Sequence, residues 1–183
     1  FRPVLTTNFK EGVSFATFTP DNRMVYAITN LGRDKVALVL MDPATCEEIE
    51  QLYVNDKYDL DNIWYSDAQK KLLGVSYTGH KGTARHFFDK ATGEMFGRME
   101  KHLRGYAIGI AGSNKAEDKY IVYAGGDRTM GTYYLYDLEA DTMTKLADLA
   151  PWIEEEQMAE MIPINYTSRD GLEIEGYLTL PVG

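Results

Sequence analysis

A single cysteine, Cys46, stands in this chain of 183 residues. Without a second thiol there is no internal disulfide and no cysteine-based zinc site. That is compatible with the cytosol and equally with the periplasm. Nowhere do enough apolar residues run together to cross a bilayer, so no membrane is expected as a partner. No signal peptide is visible, and the chain opens on Phe1 rather than Met, as a processed or truncated polypeptide would. Positive charge is also short: 19 Lys and Arg face 28 Asp and Glu, for a formal net charge of −9. Clustered cations for phosphate contacts are missing, which argues against nucleic acid.

Histidine is scarce too. His80, His86 and His102 are not spaced as H-E-x-x-H, so neither a metal nor any other cofactor is expected. Asp59-Leu60-Asp61-Asn62 opens like a calcium loop but lacks the Gly at position six and the Glu at position twelve. The glycine-rich stretch Gly125–Gly131 lacks the Gly-Lys-Ser/Thr ending of a phosphate cradle. Also absent is the G-x-S-x-G elbow that exposes a nucleophilic serine between strand and helix. Gly12-Val13-Ser14-Phe15-Ala16 and Gly74-Val75-Ser76-Tyr77 come nearest, but Ser14 and Ser76 both sit inside predicted strands. No catalytic residue is assigned.

What the chain does have is aromatic residues and a repeat. Thirteen Tyr and seven Phe favour sheet over helix. Leu38-Val39-Leu40-Met41-Asp42 is echoed by His86-Phe87-Phe88-Asp89 and by Tyr134-Leu135-Tyr136-Asp137. The aspartates are separated by 89 − 42 = 47 and 137 − 89 = 48 residues. Short strands recurring at that period mean propeller blades. Asp recurs because it ends a strand and its carboxylate bonds the backbone of the following turn.

The fold class is therefore all-β: a partial β-propeller over 1–149, with blades near 10–54, 59–102 and 105–148, each of four strands. The fourth strand of the second blade is predicted at Met95–Lys101. Arg2–Thr7 reads as the last strand of a preceding blade. A linker helix, a short one or a single turn of helix, is predicted over 150–161, from Pro151 near its start and the acids that follow. Three blades do not close a ring. Apolar faces around Leu38, Leu40, Tyr133 and Leu135 are then expected to stay open and to drive self-association.

A hairpin ends the chain. Ile162, Ile164 and Tyr166 alternate with Pro163, Asn165 and Thr167; beyond Asp170-Gly171, Leu172, Ile174, Leu178 and Leu180 alternate with Glu173, Glu175, Tyr177 and Thr179. Period two on both sides of Asp-Gly is a strong hairpin signal. The wording of Ile162–Pro181 resembles the opening of the catalytic domain in the prolyl oligopeptidase family of serine peptidases. There, this segment joins an N-terminal β-propeller to a C-terminal α/β-hydrolase domain. The resemblance implies a propeller fragment plus the first hairpin of a hydrolase domain, 162–183. Its implied partners are the rest of that hydrolase domain and the peptide substrate to which the propeller controls access. The alternative is a free-standing propeller-like module that binds proteins or peptides.

One constellation remains. A basic residue recurs in the loop between the second and third strands of each blade, at Arg33, Lys81 and Arg128. The spacings are 81 − 33 = 48 and 128 − 81 = 47. Equivalent propeller loops emerge on one face, so a same-face basic patch is expected, meeting a partner domain or an acidic peptide end. Hairpin tips also carry Lys and Arg simply for solubility.

Overall fold

The computed structural model describes residues 3–182. It contains four antiparallel sheets and one α-helix. The first blade is β1 Val13–Phe18, β2 Val25–Thr29, β3 Ala37–Met41 and β4 Glu48–Tyr53, paired in chain order. The second is β5 Leu60–Ser66, β6 Lys71–Gly79 and β7 Gly82–Phe87. The helix α1, Lys90–His102, follows. The third blade is β8 Ala107–Ser113, β9 Lys119–Gly126, β10 Thr129–Asp137 and β11 Thr142–Asp148. The hairpin β12 Met161–Thr167 and β13 Glu173–Thr179 closes the chain. Together these are the blades of a partial propeller and a terminal hairpin.

The repeat is written in the backbone as well as in the side chains. Asn22, Lys70 and Glu117 all hold the left-handed conformation, with φ of 57, 53 and 53°. Each lies in the turn between the first two strands of its blade, at spacings of 70 − 22 = 48 and 117 − 70 = 47. The recurring aspartates act as the sequence implies. Asp42 Oδ1 accepts from the backbone N–H of Ala44 and Thr45, and Asp137 Oδ1 from those of Glu139 and Ala140.

Three expectations need correction. Met95–Lys101 is not a strand but the body of α1, so the second blade has three strands. Met95, Phe96, Met99 and Leu103 are all buried, a helical spacing that places them along one stripe. Asp89 occupies the N-cap position, Lys101 and His102 suit the last turn, and Gly105, at φ 88°, lies just beyond. Pro3–Thr7 form no strand; Arg2 lies outside the described residues. The linker takes the shorter of its two readings, a turn of helix: one 3-10 turn forms at Glu155–Gln157, where the acids have no apolar stripe to bury, and Trp152 beside them is 78% exposed. Finally, Leu38 is not on an open face: it is fully buried.

The chain divides into two compact units. The first contains the described residues up to Gly79 and Thr83–Lys90; the second contains His80–Gly82 and the residues from Ala91 onward. In the first unit, β3 is apolar on both faces because both are covered. Val39 and Met41 join Val25, Ala27 and Ala37 in one cluster, while Leu38 packs with Leu60 of β5 and Val75 of β6 in another. Beside that second cluster the Asp59 carboxylate accepts from the Val36 N–H at 2.7 Å, tying the first blade to the second. In the second unit Phe96 and Met99 of α1 are buried, as are Val122 of β9 and Tyr136 of β10. The helix is tied to the β10–β11 turn. Arg98 donates to the Leu138 carbonyl at 3.3 Å, and His102 Nε2 lies 3.3 Å from Asp141 Oδ1.

Candidate functional site

The place where chemistry-bearing side chains gather is the second unit, around the linker and the terminal hairpin. Three contacts hold this C-terminal segment. The Tyr106 hydroxyl reaches both carboxylate oxygens of Glu155, at 3.1 and 3.0 Å. Hydrogen bonding to Glu155, with burial second, pushes the Tyr106 phenol above its ordinary pKa. The Asp127 carboxylate, on the β9–β10 turn, accepts from the N–H of Met161, the first residue of β12. On the β6–β7 turn, the His80 carbonyl accepts from the Tyr177 hydroxyl at 2.8 Å.

The hairpin is positioned for these contacts by its own turn. Gly171 takes φ 85°, the left-handed region, and Ser168 bonds both Asp170 and the Leu172 carbonyl. That turn fixes the register, with Ile164 opposite Gly176 and Asn165 opposite Glu175. Alternation then puts Glu173, Glu175, Tyr177 and Thr179 on one face of β13. This is the acidic and aromatic face predicted from the sequence, and two of its members meet His80. Glu175 Oε2 lies 3.5 Å from His80 Nδ1. The Tyr177 ring stacks on the imidazole with centroids 5.7 Å apart.

Each of the three basic residues sits in its predicted turn. Arg33, in the first unit, is half-buried and bound to Glu48 and Gln51, so its charge is neutralised locally. Lys81 and Arg128 are exposed in the second unit, next to His80 and Asp127 respectively. The turns that carry these two are therefore the turns that touch the hairpin. Arg33 has no share in that arrangement.

The stretches set aside on sequence grounds have visible structural roles. Asp59 bonds Val36, and Asp61 accepts from Thr78 at 2.7 Å. The glycines at 125 and 131 make room for Tyr123. A β-carbon at either one would fall 2.2 Å from the Tyr123 side chain, whose hydroxyl donates to the Met130 carbonyl at 3.0 Å. Ser14 is exposed on β1 and Ser76 lies within β6; neither sits on a strand-to-helix elbow. Among the described residues, no three His, Cys, Asp or Glu side chains gather closely enough to hold a metal. No helix among them is long and apolar enough to cross a membrane.

Sheets at a period of 47–48 residues followed by a two-stranded hairpin define a partial propeller with a terminal hairpin. Comparison with known proteins shows what such a chain is similar to. The chain is 27% identical over 188 residues to dipeptidyl aminopeptidase BIII of Pseudoxanthomonas mexicana, covering 99% of this chain and 25% of that protein. Prolyl oligopeptidase B of Galerina marginata, solved bound to a 35-residue hydrolysis and macrocyclization substrate, shares the fold. Its TM-score is 0.60 at 17% identity, over 95% of this chain and 24% of that one. A prolyl endopeptidase from a structural and mechanistic study of two such enzymes matches with a TM-score of 0.62 at 13% identity, over 96% and 25%. No protein-family model matches the chain. The resemblance to the prolyl oligopeptidase family thus extends over nearly the whole chain, which spans about a quarter of the length of these relatives.

Proposed function

We propose that the chain is the propeller side and domain junction of a prolyl oligopeptidase-like serine peptidase, with no catalytic role of its own. Residues 1–149 supply part of the propeller, 150–161 the linker and 162–183 the first hairpin of the hydrolase domain. The propeller portion limits access, so that peptides rather than folded proteins reach the hydrolase site. One observation supports this above the others: the likeness to a dipeptidyl aminopeptidase covers 99% of the chain, blades and hairpin alike. A free-standing binding propeller has no use for a Ser-Arg-Asp-Gly strand pair after its last blade. The test is the coding sequence beyond Gly183. A G-x-S-x-G elbow followed by Asp and His supports the proposal; a stop codon directly after Gly183 overturns it.

Two finer readings belong with it. Lys81 and Arg128 face the same side, toward whatever the hairpin joins. Their turns' two contacts to one hairpin support this. With Arg128→Lys, a short amine cross-linker should join positions 81 and 128, and failure to join them in the folded protein refutes the shared side. The second reading is self-association. The hairpin leaves Ile162, Leu178 and Leu180 40% or more exposed, and β1 does the same with Phe15 and Phe18. Apolar groups left open in this way favour pairing with a second copy. Sedimentation at micromolar concentration should show a dimer or larger species, and a concentration-independent monomer refutes it.

A further inference from the structure

The Ser-Arg-Asp-Gly turn of the hairpin carries the chain's single Asp-Gly step, Asp170-Gly171, and Asn-Gly occurs nowhere. We propose that Ser168 protects this step from modification: its contacts keep the Asp170 carboxylate and the Gly171 nitrogen from reacting, so the exposed tip does not convert to isoaspartate.

The reaction in question is intramolecular. The Gly171 amide nitrogen attacks Asp170 Cγ. A C–N bond forms, the carboxyl C–O and amide N–H bonds break, and one water leaves. Water then opens the resulting cyclic imide. Attack at Cγ restores Asp; attack at the former main-chain carbonyl leaves the backbone running through the side chain, one methylene longer. Nothing is oxidised or reduced, and water is the sole co-reactant. A following glycine favours the step, because no β-carbon obstructs the nitrogen and its backbone turns freely. Asp170 and Gly171 are both exposed, so water is at hand.

Three features of the turn oppose this chemistry, and Ser168 shares in each. The electrophile is held first. Ser168 Oγ donates to Asp170 Oδ1, and the Leu172 N–H points to the same oxygen at 3.5 Å. These bonds, that of Ser168 foremost, hold the carboxyl below its ordinary value of 3.8 and keep it ionised. A carboxylate resists a nucleophile and releases water only after regaining its proton. The nucleophile is held second: the Gly171 N–H donates to the Ser168 carbonyl at 3.0 Å, with Gly171 fixed at φ 85°. Third, the loop is closed at its foot. The Ser168 N–H donates to the Leu172 carbonyl at 2.8 Å, and the Leu172 N–H donates to Ser168 Oγ at 3.2 Å. An extra methylene at the tip would break this closure and the register that it sets between β12 and β13. That register delivers Met161 to Asp127 and Tyr177 to the His80 carbonyl. The protection stands on the turn alone and goes beyond the junction reading.

The test incubates the 183-residue chain under native conditions. Isoaspartate at position 170 is read by methyl transfer with an isoaspartate methyltransferase and located by peptide mapping. The wild-type chain should convert at least about tenfold more slowly than the free peptide Asn165–Ile174, since more than one hydrogen bond must be given up. Ser168→Ala should convert about 3- to 10-fold faster than wild type, the worth of one hydrogen bond expressed as a rate. Ser168→Thr keeps the hydroxyl and should match the wild type. Thr167→Val removes a neighbouring cross-strand bond, from Thr167 Oγ1 to Glu173 Oε1 at 2.5 Å, without touching Asp170, and should leave the rate unchanged. A wild-type chain that converts as fast as the peptide overturns the proposal. So does a Ser168→Ala rate equal to wild type, or a Thr variant as fast as the Ala variant. An equal rise in Thr167→Val also overturns it, because general loosening of the hairpin then accounts for the effect. None of these readouts is peptidase activity, so their failure leaves the junction reading untouched.

Discussion

Leu38→Ala separates an open blade from a packed one. On an exposed face the truncation would change stability by no more than about 0.5 kcal/mol. In the structure Leu38 is fully buried between β3 and the β5–β6 pair, with Leu60 and Val75 as its buried partners and Tyr26, Leu52 and Ile63 around them. Strands fixed by ladders on both sides collapse poorly into a void, so the loss should fall in the upper part of the Leu→Ala range, about 3–4 kcal/mol. With a urea dependence of about 2 kcal/mol per molar, the midpoint should drop by about 1.5–2 M at unchanged slope. Trp64 provides the assay. It lies on β5 in the same unit, stacks on Phe87 with centroids 6.0 Å apart and carries the Arg85 guanidinium 5.8 Å from its ring. The other tryptophan, Trp152, is 78% exposed and should change little on unfolding. A midpoint shift below about 0.3 M would refute the packed interface, since a surface leucine gives a change of that size.

Gly131→Ala should cost more than about 2 kcal/mol, because φ of 107° and a Tyr123 ring atom 2.2 Å away both resist a β-carbon; Tyr123→Ala should relieve part of it, and additive losses in thermal melts would refute the coupling. Acid should destabilise the third blade. Lys119 holds the Asp137 carboxyl below its ordinary value of 3.8, and Lys145, then Thr132, do the same for Asp148. These depressed groups add stability that is complete above the ordinary carboxylate range and is lost as pH falls through their folded values, so unfolding monitored from pH 5 downward should show it. At the other extreme, burial and then the Asp141 hydrogen bond push Tyr136 to about 12. An unfolded tyrosine ionises first, so Tyr136 should contribute a loss of roughly 2–3 kcal/mol between about pH 10 and 12, and Tyr136→Phe should reduce the alkaline drop by that share, the rest coming from Tyr26, Tyr106 and Tyr120, which are also raised. The purified chain should hydrolyse no peptide; turnover abolished by replacing one of its serines would refute the non-catalytic reading.

Much of the fold was legible because strands announce themselves by alternation and by what stops them. The hairpin read on either side of Asp170-Gly171 is present as β12 and β13, in one continuous register. The failure at Met95–Lys101 has a physical cause. The repeat called for a fourth strand there, and Gly93 and Gly97 weaken a helical reading by about 1 kcal/mol each. Yet Met95, Phe96, Met99 and Leu103 already had helical spacing, with Asp89 before them and Gly105 after. Burial of that stripe outweighed the glycines. The same test explains why the linker stops at one turn: Glu154, Glu155 and Glu156 supply charge but no stripe.

The site was legible only at the level of its turns. Periodicity located Arg33, Lys81 and Arg128 at equivalent tips, but a period says nothing about what else reaches each tip. Arg33 meets Glu48 on the neighbouring strand β4, and its charge is neutralised within its own blade. Beside Lys81 and Arg128 stand His80 and Asp127, whose partners Glu175 and Met161 lie 95 and 34 residues away in sequence. No local pattern pairs residues at such distances. A signal did exist, in the alternation of β13, which put Glu175 and Tyr177 on one face with no apolar duty to perform. The repeat identifies which loops are equivalent; the break in equivalence, where one loop carries a histidine that meets a strand of the terminal hairpin, is what a period cannot locate.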